Sequence, residues 1–440
     1  MRMSHPRPRQ KLALFVAALV AAPTLVACGS DDGANVLTFW QSPDSSGVVG
    51  KIVDQCNQQA NGRYVIRRET LPNSADAQRE QLVRRLAAKD KTMNVLFMDV
   101  IWAPEFAEAK WILPFEGEDE AKATDDILQG PKESATWKGK LYAAPFSSNS
   151  QLLWYRKSLA KQAGIDPTAE NFTWDDLIDA SSKMPENSRF VEIQANRYEG
   201  YMVWINGLIS SAGGSILENT DAGTNAKPGV NSDAGRRAAE IIQKFVDSPA
   251  ADFGLSTAIE ETTRAAFQNG NAWAMLNWPY IYGLGSENAG KDANFKPIFE
   301  DYGWARYPRV DANTPSAPPI GGAMIGVGAY TPEPKRKLAF EAAACITSPE
   351  SQKQRMDTLG EPATRASIYD DPGILAKYPF APLIRDSIDQ AAPRPLTPFY
   401  NDVTIAIQRT WHPPGSVNPN KTPKESNDLI SKALKGKVLI

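Results

Sequence analysis

Val36-Leu-Thr-Phe-Trp40 opens the stretch that decides the fold. A polar loop, Gln41-Ser-Pro-Asp-Ser-Ser-Gly47, follows it, and then Val49, Ile52, Val53 and Cys56 fall at i, i+3, i+4 and i+7, one face of a helix. Tyr64 to Leu71 reads as a second strand, Asp76 to Ala88 as a helix with an apolar stripe at Leu82, Val83 and Leu86. Asn94-Val-Leu-Phe-Met-Asp-Val100 is a continuous apolar run of the kind buried on both faces, and Ala103 to Trp111 is a third helix pattern. Strand and helix alternate three times, the rhythm of a parallel sheet covered by helices.

A second region begins near Gln151. Thr173-Trp-Asp-Asp176 resembles a capping box opening a helix. Helices are expected over 198–211, ending at Gly213-Gly214, over 232–246 and over 259–268. Ala272 to Asn277 reads as a strand ending in a Trp278-Pro279 corner. After a Pro-rich loop at 307–319 comes a further buried strand, Ile320 to Val327, and the tail from Lys335 is mostly helical. The first sheet therefore resumes late in the chain, which predicts two lobes with a cleft where the crossing strands meet. The expected division is 36–148 with about 278–345 in lobe 1, and 149–277 with about 346–440 in lobe 2.

The first 28 residues read as an address. Arg2, Arg7, Arg9 and Lys11 precede an apolar run from Leu12 to Ala27, the layout of a secretory signal peptide over 1–27. Leu25-Val-Ala-Cys28 resembles the lipobox of bacterial lipoproteins, which implies a diacylated Cys28 and a membrane-held chain with 28–35 as its tether. An uncleaved transmembrane anchor is the alternative, but the run is shorter than the ~20 apolar residues of a span.

Composition narrows the function. The chain has 48 basic and 51 acidic residues, and loss of the four basic residues of the leader leaves a net charge of −7. Such a chain, without Lys/Arg blocks, is a poor ligand for nucleic acid. With Cys28 lipidated, Cys56 and Cys345 are an even pair in an oxidising compartment, so a disulfide is expected, two buried thiols being the alternative. Only His5 and His412 are present, and no Gly-x-Ser-x-Gly elbow occurs, which argues against a Ser-His-Asp triad and a His-rich zinc site. Gly47-Val-Val-Gly50-Lys51 runs into Ile52 and is no phosphate loop. No metal or cofactor is called for. Any catalysis would rest on carboxylates.

Several stretches resemble the solute-binding lipoproteins of ABC importers, in the class that binds oligosaccharides. They are Asp99 to Phe106, Leu141 to Phe146 with Asn149 and Leu153-Trp-Tyr-Arg156, Arg264 to Gly270, and Asn277-Trp-Pro-Tyr280. More narrowly, Cys56 to Gln59, Gln151 to Tyr155, Gln194-Ala-Asn196, Ser211 to Ser215 and Arg394-Pro-x-Thr-Pro-x-Tyr400 are similar to actinobacterial trehalose-binding lipoproteins. The resemblance implies an α/β, two-lobed periplasmic-binding-protein-like fold, each lobe a mostly parallel sheet flanked by helices. It further implies a monomer that delivers a disaccharide, trehalose foremost, to the transmembrane subunits of a permease.

A sugar site needs paired donors and acceptors for hydroxyls and flat apolar platforms for C–H faces. Asp44, after the first strand, is a candidate ligand contact or a helix N-cap. Asp99 ends an apolar strand, so its carboxylate needs a partner, either ligand or a buried structural pair. Asn149 lies at the crossover, as contact or turn residue. Glu260 and Glu261 open a helix, where acids also serve only the dipole; which of them meets ligand is open. Trp278 before Pro279 is a candidate platform or core residue, and Tyr280 a further one. Gly321-Gly322 suits close backbone approach or a tight strand. Arg394 caps the cleft in the resembled family, or makes a surface ion pair. The competing reading is a lipid-anchored glycoside hydrolase using Asp99 with Glu260 or Glu261. A structural or adhesive lipoprotein fits these gathered acids and aromatics poorly.

Overall fold

The computed structural model describes residues 35–44 and 46–438; the leader and Cys28 lie outside them. The strands of the two larger sheets, in chain order, are β1 (Val36–Gln41), β2 (Val65–Thr70), β3 (Val95–Asp99), β4 (Ala143–Ser150), β5 (Leu152–Arg156), β6 (Phe190–Glu192), β7 (Ala272–Asn277), β8 (Tyr302–Ala305) and β9 (Ile320–Val327). The first sheet has the order β2-β1-β3-β9-β4 and the second β8-β5-β7-β6.

The opening rhythm folds as read. β1 pairs in parallel with both β2 and β3, and the helices Val48–Gln59 and Ala75–Ala87 make the crossovers. Leu37, Phe39, Val95 and Leu96 are fully buried, as continuous apolar runs in a covered sheet require. Ser74 accepts from the Ala77 amide at the start of its helix, and Thr173 and Asp176 form a reciprocal capping box.

Neither sheet is mostly parallel. β9 runs antiparallel to β3 and to β4, and in the second sheet β7 and β8 both run antiparallel to β5, leaving only β6 and β7 parallel. A parallel neighbour needs a crossover connection, usually a helix. β9 arrives instead from the second sheet through the 306–319 loop, so it enters pointing the opposite way.

The chain leaves the first sheet between Ser150 and Leu152 and regains it only at Ile320. The expected return near 278 is too early. After the Trp278-Pro279 corner the chain forms the helix Tyr280–Lys291 and then adds β8 to the second sheet beside β5. The tail is also shared. Helices Tyr400–Trp411 and Thr422–Leu434 pack on Glu199–Ser211 and Asp233–Val246, while Pro349–Leu359 packs on Val48–Gln59.

Cys56 and Cys345 are joined in a disulfide that ties the first helix to Glu333–Ile346, 289 residues later, with 5.9 Å between Cα atoms. Closing so long a loop constrains the unfolded chain and stabilises the fold by about 2–5 kcal/mol.

Candidate ligand-binding cleft

Strand ends and helix starts of the two sheets meet around a cavity of about 750 Å³. That is within the range of small-molecule sites. Asp44, Asp99, Asn149, Glu260, Glu261, Trp278, Tyr280, Gly321, Gly322 and Arg394 all line it.

Asp44 has the local role first. Its carboxylate accepts from the amides of Ser46, Gly47 and Val49 and from the Ser46 hydroxyl, closing the loop onto the helix Val48–Gln59. Burial works to raise its pKa, but these hydrogen bonds hold it below the usual carboxylate range. Helix capping and cavity lining coexist in one side chain.

Arg394 is only 3% exposed and bridges two elements. Its Nη2 donates to Asp99 Oδ1 at the end of β3 (3.0 Å), and its Nη1 to Glu199 Oε1 at the start of helix Glu199–Ser211 (2.6 Å). Glu199 also accepts from the hydroxyls of Tyr400 and Thr404. Burial pushes the Glu199 carboxyl up, against the pull of Arg394 and Tyr400, and the two carboxylates keep Arg394 charged in spite of its own burial. The surface ion pair considered for Arg394 is thus a buried triad.

On the second-sheet side, Glu260 and Glu261 part company. Glu260 lies inside the cleft and accepts from the Tyr198 hydroxyl (2.7 Å); burial raises its pKa. Glu261 is exposed, held by Arg264 and by the Tyr280 hydroxyl (2.7 Å), whose bonds overcome burial and lower its pKa. Asn277, fully buried, donates to the Glu260 carbonyl and to Thr263, and accepts from the Trp278 amide. It locks the indole-bearing strand end to the acidic helix start.

Trp278 is half-buried and stands over Gly321. A Cβ at Gly321 would lie 2.5 Å from Asn149 Oδ1 and 2.9 Å from the Trp278 ring. Gly322 has φ +128°, and a Cβ there would meet the Ser147 carbonyl at 2.2 Å. Both positions exclude larger residues. Asn149 Oδ1 is buried with no hydrogen-bond partner, aimed at this junction.

Tyr198, Glu199, Asn196, Asp76, Arg355 and Glu361 also line the cavity, and none was named as a ligand contact from sequence. Glu199 and Tyr198 sit at a helix start that reads only as a terminus, and Arg355 on a helix face that reads as solvated. Among the described residues no group of three or more His, Cys, Asp or Glu is arranged to hold a metal ion.

Two α/β lobes around a cleft lined by acids, amides and an indole define a two-lobed binding-protein fold. Residues 51–382 match the family model of bacterial extracellular solute-binding proteins, and the chain belongs to that family. A probable ABC transporter-binding protein of Deinococcus radiodurans is 28% identical over 410 residues, covering 89% of this chain and 91% of the relative. Among solved structures, maltose-bound MalE3 of T. maritima superimposes with a TM-score of 0.77 at 25% identity, over 92% of this chain and all of that one. The GacH receptor of Streptomyces glaucescens, solved unliganded and with acarbose, has a TM-score of 0.74 at 20% identity, over 91% and 98%. The chain is therefore a bacterial extracellular solute-binding protein. That membership sets aside the hydrolase reading of Asp99 with Glu260 or Glu261.

Proposed function

We propose that the protein captures an α-linked disaccharide, trehalose foremost, and hands it to the transmembrane subunits of an ABC permease. The observation that carries this reading is the junction of Trp278, Asn149 Oδ1 and Gly321, where an indole face and an unpartnered buried acceptor meet over a backbone with no side chain. A sugar ring offers what that junction lacks: an apolar C–H face and a hydroxyl that donates. Maltose and acarbose, bound by the two structural neighbours, are of the same chemical class. Glu260, Asp99 and Arg394 supply the remaining acceptors and donors, with Asp44, Tyr280 and Glu261 at the rim and Gly321-Gly322 as the floor.

Lobe closure over the sugar would complete contacts from both sides at once. The protein acts as a monomer, and the Cys28 lipid holds it beside the permease it feeds.

Isothermal calorimetry tests the ligand. Trehalose should give a saturable heat; heat from maltose with none from trehalose sinks the trehalose assignment, and no heat from any sugar sinks the class. Mass spectrometry of the mature N-terminus should find a diacylglyceryl group on Cys28.

A further inference from the structure

The cleft has a second buried arginine. Arg355, on helix Pro349–Leu359, is 7% exposed and lines the cavity. Its guanidinium lies over the Phe146 ring, 4.5 Å from the centroid, and Nη2 pairs with Glu361. Nε and Nη1 are buried with no hydrogen-bond partner. A buried charged donor left unmade is costly, so a ligand that accepts from it binds with that cost removed.

The sheet register places this pair. Asp99 on β3 lies opposite Ala323 on β9, Gly321 on β9 opposite Asn149 on β4, and the Ser148 amide of β4 donates to the Pro362 carbonyl in the loop that carries Glu361. Arg394 holds the β3 end of the cleft through Asp99, and Arg355 lies over Phe146 on β4, two strand spacings or about 9–10 Å across the sheet.

We infer that Arg355 with Glu361 is a second anchor of the cleft, contacting the ligand ring remote from Arg394 and selecting a neutral ring over a phosphorylated one. This rests on the sugar reading above. Arg355 donates and Glu361 accepts, which suits neighbouring hydroxyls that do both. A phosphate only accepts. It would satisfy Arg355 but face Glu361 in a cleft whose lining carries seven carboxyl residues against two arginines. The paired acid thus works as a repulsive element against anions.

The test titrates the full chain with trehalose and with trehalose 6-phosphate by calorimetry. The wild type should prefer trehalose by about tenfold or more, as a site with an unmatched charge does. Arg355→Gln should lower trehalose affinity about tenfold, and Arg355→Lys should also weaken it, because the planar fork is lost. Glu361→Gln should shift the preference about tenfold toward the phosphate. A change in preference ratio is something a merely structural role would not produce. Unchanged affinities in a folded Arg355→Gln, or an unchanged ratio in Glu361→Gln, overturn the inference; so does a wild type that prefers the phosphate. If Arg355→Gln does not fold, the Glu361→Gln ratio decides alone. A wild type that binds neither probe defeats the trehalose assignment and this inference with it, whereas wild-type binding with unaffected variants defeats only this inference.

Discussion

Arg394 and Arg355 both line one cleft, and they are wired in different ways. Arg394 reaches two carboxylates on separate elements, Asp99 on the first sheet and Glu199 on the helix Glu199–Ser211, 295 and 195 residues away in sequence. Arg355 pairs with Glu361 only six residues on and keeps two donors unmatched. One arginine organises the cleft whether or not ligand is present. Arg394 leaves only its Nε unmatched and Arg355 both Nε and Nη1, and the less complete arginine is the one we assign to reading the ligand. Buried charge thus serves two ends here, preorganisation and readout.

The sharpest way to break this contrast is Arg394→Ala. It leaves Asp99 and Glu199 without their counter-charge, and stability in urea should fall by about 3–5 kcal/mol. Arg355→Ala strands only Glu361, which is partly exposed, and should cost less than half of that. Equal losses in the two variants would erase the distinction. Next in size is Trp278→Ala, in the same cleft. Sugar affinity should drop about 10–100-fold, the worth of an aromatic platform, with the unliganded melting temperature little changed.

A third experiment carries the comparison from arginines to acids. Glu199 has Arg394, Tyr400 and Thr404 around it, whereas Glu192, on β6, has an unpartnered Oε1 with Asp252 nearby, and burial with that neighbouring charge pushes its pKa up to about 8. The native state then holds a proton that the unfolded state has released. Stability should fall as pH rises from about 4.5 to about 8, and Glu192→Gln should remove about 1–3 kcal/mol of that decline. A pH profile indifferent to the substitution would count against an uncompensated Glu192. The smallest effect is expected for Asp44→Ala, where loss of the cap costs about 1 kcal/mol in thermal unfolding.

Local patterns were legible because they are short-range. The 3.6-residue spacing of Val49, Ile52, Val53 and Cys56, the Thr173–Asp176 capping box and the apolar run of β3 each state their own structure within a dozen residues. The candidate lining residues were likewise visible as polar or aromatic groups at the ends of such elements. Strand direction was not, since an apolar run reads the same forwards and backwards; the mixed sheets follow from where β9, β7 and β8 enter, not from their composition. Arg355 and Glu199 stayed hidden for a related reason. A charged residue on a helix looks solvated until the partner that buries it is known.

By itself, then, the amino-acid sequence determined the βα units, their caps and the chemical palette of the cleft, all properties of neighbouring residues. Only the tertiary structure decided that β8 belongs to the second sheet, that Glu260 turns inward while Glu261 turns to Arg264, and that Arg394 and Arg355 line one cavity. Those are matters of long-range pairing and burial, where the energy of a charge is set by what folds over it rather than by what precedes it in the chain.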